Sequence, residues 1–230
     1  MGFDSEKWEP ETFAFYKKYV SPMKEIIDIG GWIGPTVLIA YSYNPKRISV
    51  VEADPANYQI LKTNCLKNYL NDKVELNNIC IADETGKIVE FGYTDEEVLD
   101  TSTKGIGGKR VKVSTISLED FLKTKDMVNV NIIKIDIEGG EQFIGNGIDY
   151  ISKFPGINVL LSIHVPFWLD KIKTMEMLLK EFEKFNLYTD RDEKISIDKI
   201  RELMLEENEI PYADRKGLFF TIILKTQDNV

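Results

Sequence analysis

The chain has 230 residues, of which 43% are hydrophobic and 29% charged, with a formal net charge of −9. That length suits one α/β domain with a sizeable core, and no window approaches the roughly 18 consecutive apolar residues of a membrane span. The acidic balance argues against nucleic acid as a substrate, because phosphate binding needs a concentrated basic surface. No basic segment followed by an apolar core opens the chain, so no secretory signal is visible and a cytoplasmic location is expected. Cys65 and Cys80 lack CxxC or metal-type spacing and read as buried free thiols in a reducing compartment. His164 stands alone, which excludes a His-rich metal site and any double-histidine chemistry.

In chain order, residues 1–24 form a helical extension. Phe13, Phe15, Tyr16 and Tyr19 supply an aromatic face that packs over a sheet or lids a site. Residues 26–34, Ile-Ile-Asp-Ile-Gly-Gly-Trp-Ile-Gly, read as a buried strand running into a glycine-rich turn and then a helix over about 35–43. A second strand, 47–52, ends in Glu52. Asp54-Pro55 then starts a helix whose Ile60, Leu61, Leu66 and Leu70 are expected on one buried face. A third strand is expected over 74–81, and a fourth over 87–93. Residues 94–109 are a long loop rich in Thr, Ser and Gly. Strand character resumes at 111–115, and Ser117-Leu118-Glu119-Asp120 opens a short helix.

Residues 131–141, Asn-Ile-Ile-Lys-Ile-Asp-Ile-Glu-Gly-Gly-Glu, alternate strictly, which predicts Lys134, Asp136 and Glu138 on one strand face. Three charges there are costly unless paired or turned toward a site. Lys134 reads as an ion-pair partner for the carboxylates. An apolar strand over 157–163 ends at His164, followed by Phe167-Trp168. A helix over 169–185 is expected to bury Ile172, Met175, Leu178, Leu179 and Phe182. A short strand at 187–189, a helix at 197–208 and a strand at 218–224 complete the chain. No internal repeat or linker is visible. Residues 1–230 therefore read as one doubly wound, mostly parallel α/β domain, with the 94–109 loop and a 190–216 insert near the acceptor site.

Asp28 and Glu52 end successive strands, where open α/β sheets bind small molecules, and Glu52 is spaced from the glycines as a carboxylate that accepts ribose hydroxyls. A nucleoside-containing ligand follows. The dinucleotide pattern G-x-G-x-x-G is not met, since Trp32 stands where its second glycine belongs. The spacing Asp28-x-Gly30-x-x-x-Gly34 instead resembles the first motif of class I S-adenosylmethionine-dependent methyltransferases. With Val51-Glu52-Ala53-Asp54-Pro55 and the 134–141 string Lys-Ile-Asp-Ile-Glu-Gly-Gly-Glu, it resembles the FkbM family over about residues 25–168. The family often has Ala-Asn after the first glycine, where this chain has Gly31-Trp32.

The resemblance implies a seven-stranded, Rossmann-like methyltransferase sheet whose last antiparallel strand inserts beside its neighbour. It implies S-adenosylmethionine as cofactor. Asp28, Gly30, Gly31 and Gly34 would cradle its methionine part, and Glu52 with Ala53 beside it would hold the ribose. Cys80 and Ile81 would flank the adenine, and Asp136 would lie near the sulfonium. It further implies O-methylation of a hydroxyl on a sugar or other small metabolite, without membrane or nucleic-acid partner. His164 is the leading general base by position and chemistry. Asp136, Glu138 and Glu141 are the alternative base, or an oxygen-ligand set for a divalent cation. A cofactor-binding module without catalysis and an RNA methyltransferase are the competing readings.

Overall fold

The computed structural model describes residues 9–70, 72–93, 109–208 and 217–227. Helix α1 (Pro10–Tyr19) leads into β1 (Glu25–Ile29), α2 (Pro35–Ser42), β2 (Arg47–Val51), α3 (Pro55–Lys67) and β3 (Val74–Asn77). Strands β4 (Cys80–Ala82), β5 (Ile88–Tyr93) and β6 (Lys109–Ser117) follow, then α4 (Leu118–Lys123) and β7 (Val130–Ile135). A 3-10 turn at Gly140–Phe143 precedes α5 (Gly145–Ile151) and β8 (Asn158–His164). The chain then runs through a second 3-10 turn (Val165–Phe167), α6 (Lys171–Phe182), β9 (Phe185–Thr189), α7 (Ile197–Leu205) and β10 (Phe219–Thr226).

Among the described residues one sheet has seven strands in the order β3-β2-β1-β7-β8-β10-β9. β1 pairs in parallel with β2 and β7, β2 with β3, and β7 with β8, whereas β10 lies antiparallel between β8 and β9. The chain moves outward from β1 through β2 to β3 and then returns to the other side of β1. The carboxyl ends of β1 and β7 therefore flank the point where strand order reverses, which is where such sheets open a binding crevice. A separate three-stranded sheet, β4-β6-β5, adjoins this end.

Alternation along the strands sorts residues onto two faces. Ile27, Ile29, Ile133, Ile135 and Leu161 face one core, with Leu118, Ile148, Leu178 and Met204 from the helices. Ile26, Ile48, Ile132 and Leu160 face the other, with Tyr16, Val37 and Leu61. Helix starts match their chemistry: Asp54 accepts hydrogen bonds from the N–H of Ala56 and Asn57 ahead of Pro55, and Ser117 accepts from the Asp120 N–H. Helix α1 is pinned at its far end, where Lys18, Tyr19 and Lys225 all donate to Asp192.

Several expectations are corrected. The strand over 74–81 is two strands, β3 and β4, in different sheets; Asn78 breaks it, donating to the carbonyls of Glu52 and Ala53. Ile60, Leu66 and Ile172 are exposed rather than buried, because each falls outside the arc of its helix that meets the sheet. The alternation through Glu138 is not one strand face: β7 stops at Ile135, and Glu138 turns left-handed with φ 45°. Residues 94–108 and 209–216, most of the loop and the last part of the insert, lie outside the described residues, as do residues 1–8.

Candidate active site

The crevice is built first by the turn after β1. Gly30 adopts φ +89°, and a Cβ on it would stand 1.8 Å from the Asp136 carbonyl oxygen, so only glycine lets the turn pass the end of β7. The N–H groups of Gly30 and Gly31 both donate to the Val51 carbonyl, at 2.9 and 3.0 Å. They tie the turn to β2 and are not free to cradle a phosphate. Trp32 sits at φ 47°, a conformation that bulky side chains rarely adopt, and its N–H donates to Glu52 Oε2 at 2.8 Å. The Asp54 N–H donates to Glu52 Oε1 at 2.8 Å. Burial pushes the Glu52 carboxyl up to about 7 against the pull of these two donors.

The end of β7 supplies the charges. Asp28 and Lys134 are register partners on β1 and β7, both fully buried on the face covered by α1. Lys134 Nζ donates to Asp136 Oδ2 at 3.1 Å and stands 3.8 Å from Asp28 Oδ1. Burial works against its charge, but Asp136, Asp28 and Glu9 outweigh burial and hold its pKa above the ordinary lysine value. Asp136, conversely, is held below the usual carboxylate range, because Lys134 and His164 overcome its desolvation. Thr36 donates to Asp28 Oδ2 at 2.7 Å. The buried Tyr16 hydroxyl approaches the same carboxylates and has no hydrogen-bond partner among the described residues.

His164 ends β8. Its Nδ1 faces Glu141 Oε1 at 2.9 Å, and its Nε2 lies 3.5 Å from Asp136 Oδ1. Glu141, fully buried, also accepts from Trp168 Nε1 at 2.8 Å and from the Gly139 N–H. Gly139 has φ +96°, and a Cβ there would strike Phe167 Cβ at 2.6 Å. Burial lowers the His164 pKa, but Glu141, Asp136 and Glu138 raise it further, to about 9. A continuous file of alternating charge, Lys134, Asp136, His164, Glu141, therefore crosses the sheet edge.

Two hollows meet along this file. A cleft of about 260 Å³ is lined by Gly30, Gly31, Trp32, Glu52, Ala53, Cys80, Ile81, Asp136 and Glu138, with Val51, Ile79 and Ile137 as apolar walls. A second hollow of about 360 Å³ lies on the other side of Asp136, against His164 and Phe219. Glu9 and Asp136 line both. Of the residues singled out from sequence, Asp28, Gly34 and Glu141 are not cleft-lining: Asp28 and Glu141 are buried, and Gly34 caps α2 in a left-handed conformation. Glu9, Thr36 and Asn57 line the cleft and were missed; nothing in the sequence shows that the residue ahead of α1 folds back onto β7. Among the described residues no group of three or more His, Cys, Asp or Glu side chains stands close enough to hold a metal ion, so Asp136, Glu138 and Glu141 do not form such a set. Burial raises the Cys80 thiol to about 12, which leaves it an apolar wall.

The family model described as the methyltransferase FkbM domain matches residues 28–207. The chain belongs to the FkbM methyltransferase family. This FkbM-family chain shares its fold with a putative rRNA methylase from Clostridium thermocellum, at TM-score 0.54 and 9% identity, covering 100% of this chain and 99% of that one. An O-methyltransferase from Bacillus cereus solved in complex with SAH gives TM-score 0.52 at 11% identity, with 98% and 83% covered. An rRNA methylase from Streptococcus thermophilus gives TM-score 0.52 at 10% identity, with 94% and 95% covered. No curated protein matches the chain. The FkbM chain is thus an S-adenosylmethionine-dependent methyltransferase on a Rossmann-like sheet. No helix among its described residues is long and apolar enough to cross a membrane.

Proposed function

We propose that this methyltransferase transfers a methyl group to a hydroxyl of a sugar or other small metabolite, with its cofactor in the cleft at the ends of β1, β2 and β7. One observation carries the reading. Asp136 walls the cleft and lies 3.5 Å from the imidazole of His164, so the cofactor side and the chain's lone histidine meet at a single carboxylate.

The cleft's chemistry fits S-adenosylmethionine. Carboxylates of Glu9, Glu52, Asp136 and Glu138 surround it, with apolar walls between them, and its buried lysine is already committed to Asp136. Such a lining favours a cation with a nucleoside and disfavours a pyrophosphate. When bound, the cofactor supplies an electrophilic methyl group on a sulfonium. Glu52, held by the Trp32 and Asp54 N–H groups, keeps lone pairs for the ribose hydroxyls. Ala53, Cys80 and Ile81 form the adenine wall. Gly30, Gly31 and Asp136 border the methionine end. Asp28 and Gly34 act from behind, Asp28 by holding Lys134 and Thr36, Gly34 by shaping the start of α2.

A hydroxyl needs a base because its pKa is high. His164 carries its proton at neutral pH and becomes a base on losing it near 9. Asp136, held low, is the weaker base and serves to orient the imidazole. Glu141 fixes the tautomer, accepting at Nδ1 and leaving Nε2 toward the second hollow. The test is incubation with S-adenosylmethionine and a panel of glycosides, with mass spectrometry of the products. A new methyl ether, formed together with S-adenosylhomocysteine, supports the reading. Cofactor binding without transfer to any hydroxyl points instead to a binding module, and failure to bind the cofactor overturns the assignment of the cleft.

A further inference from the structure

The second hollow has a chemistry of its own. Among the described residues no lysine or arginine lines it. Glu9, Glu11, Asp136 and Asp190 do, four carboxylates against the one imidazole of His164. Its remaining wall is aromatic and hydroxylic. Phe219 stands 5.4 Å from the His164 ring and 5.3 Å from Phe167, and Ser162 and Thr221 hydroxyls lie 3.5 Å apart on the paired strands β8 and β10. Asp136 is neutralised within the charge file by Lys134, but Glu9, Glu11 and Asp190 add a field of one sign. A hollow lined this way concentrates cations and repels anions, and the face of Phe219 adds to the attraction for an ammonium.

The geometry points to this hollow as the acceptor site, and to an acceptor that carries a protonated amine near the hydroxyl to be methylated, such as an amino sugar. The proposal rests on the reading that the adjoining cleft holds S-adenosylmethionine, and it goes beyond that reading by naming the charge of the acceptor. The ammonium sits among Glu9, Glu11 and Asp190 over the Phe219 ring. The neighbouring hydroxyl then lies toward His164 Nε2 and the shared Asp136 wall. Phosphorylated or carboxylated acceptors, and the backbone of RNA, are repelled by the same groups.

The lone histidine makes the test direct, since its imidazole gives one set of NMR signals at the hollow's wall. The full chain is first titrated calorimetrically with S-adenosylhomocysteine, then the loaded protein is titrated with glucosamine, N-acetylglucosamine and glucose 6-phosphate while the imidazole signals are followed. Glucosamine is expected to shift them saturably, with at least about tenfold tighter binding than its N-acetyl counterpart. Glucose 6-phosphate is expected to bind more weakly than either. In the E11Q/D190N double variant the advantage of the amine is expected to vanish while S-adenosylhomocysteine binding is retained, which also shows that the variant folds. Equal binding of the three probes, preference for the phosphate, or no shift with glucosamine overturns the proposal. Failure of S-adenosylhomocysteine to bind removes the cofactor reading itself, whereas its binding without an amine preference removes only the acceptor assignment.

Discussion

At the scale of single residues, Glu52 and His164 are tuned in ways that experiments read separately. Glu52 has a pKa near 7 because it is buried. Its ionised form is the better acceptor for ribose hydroxyls and the better partner for a cation. Cofactor affinity is therefore expected to fall as pH drops through 7, and calorimetry across that range checks it. Glu52→Gln removes the charge and keeps an acceptor for only one of the Trp32 and Asp54 N–H groups, which bond to different oxygens of the carboxylate. It is expected to weaken S-adenosylmethionine binding by about ten- to a hundredfold, as loss of a charged hydrogen bond of roughly 1.5–3 kcal/mol implies. His164→Asn removes the proposed base and is expected to lower turnover by about 10²–10⁴-fold while leaving cofactor binding in place. In the unsubstituted enzyme, log kcat is expected to rise with pH and level off near 9, where the imidazole loses its proton; a pH-rate profile that is flat from neutrality upward would remove His164 from the role of base.

Among the secondary-structure elements, the turn after β1 is the most exacting. Gly30→Ala forces a Cβ onto the Asp136 carbonyl in a left-handed conformation, with backbone rather than a flexible side chain in the way. A loss of at least about 3 kcal/mol is expected, measured by urea unfolding. A substitution at Gly86, where a Cβ meets nothing within 4 Å, is the contrasting control for a positive-φ glycine. These elements were legible in the sequence to different degrees. The β1-turn-α2 and β2-α3 units declare themselves locally, through β-branched runs, glycines, and Asp54 ahead of Pro55. The alternation at 131–138 was misleading because Ile137 and Glu138 continue the period after β7 has ended. Apolar residues at helical spacing did not reveal exposure either: Ile60 and Ile172 differ from Leu61 and Met175 only in which way the finished packing turns the helix. Glu9 was illegible because its place depends on how α1 is docked. That docking is fixed by the distant Asp192, on which Lys18, Tyr19 and Lys225 converge.

For the whole molecule, the buried titratable groups set the pH range of stability. Glu52 is raised from 4.5 to about 7, so its contribution is fully present below its ordinary value and is lost as pH rises through 7. His164 is raised from 6.5 to about 9, so its contribution is complete below 6.5 and is lost as pH rises through 9. Asp192 works in the opposite sense. Desolvation opposes its charge, but Lys18, Lys225 and Tyr19 hold it down at about 2, so its contribution is lost only as pH falls from its ordinary 3.8 through that value. Thermal unfolding followed against pH is therefore expected to show the highest Tm on the acid side of neutrality, with a decline on the alkaline side that His164→Asn reduces. The sheet's strand order has a consequence of another kind, for the chain as it is made. β10 is the last strand in sequence, yet it lies between β8 and β9 and hydrogen-bonds to both. During synthesis, β1, β2, β3 and β7 can assemble as they emerge, but β8 keeps an open edge until residue 226 has left the ribosome. A nascent chain stalled short of that point carries an apolar strand, Asn158–His164, ready to pair with its twin on a neighbouring polysome.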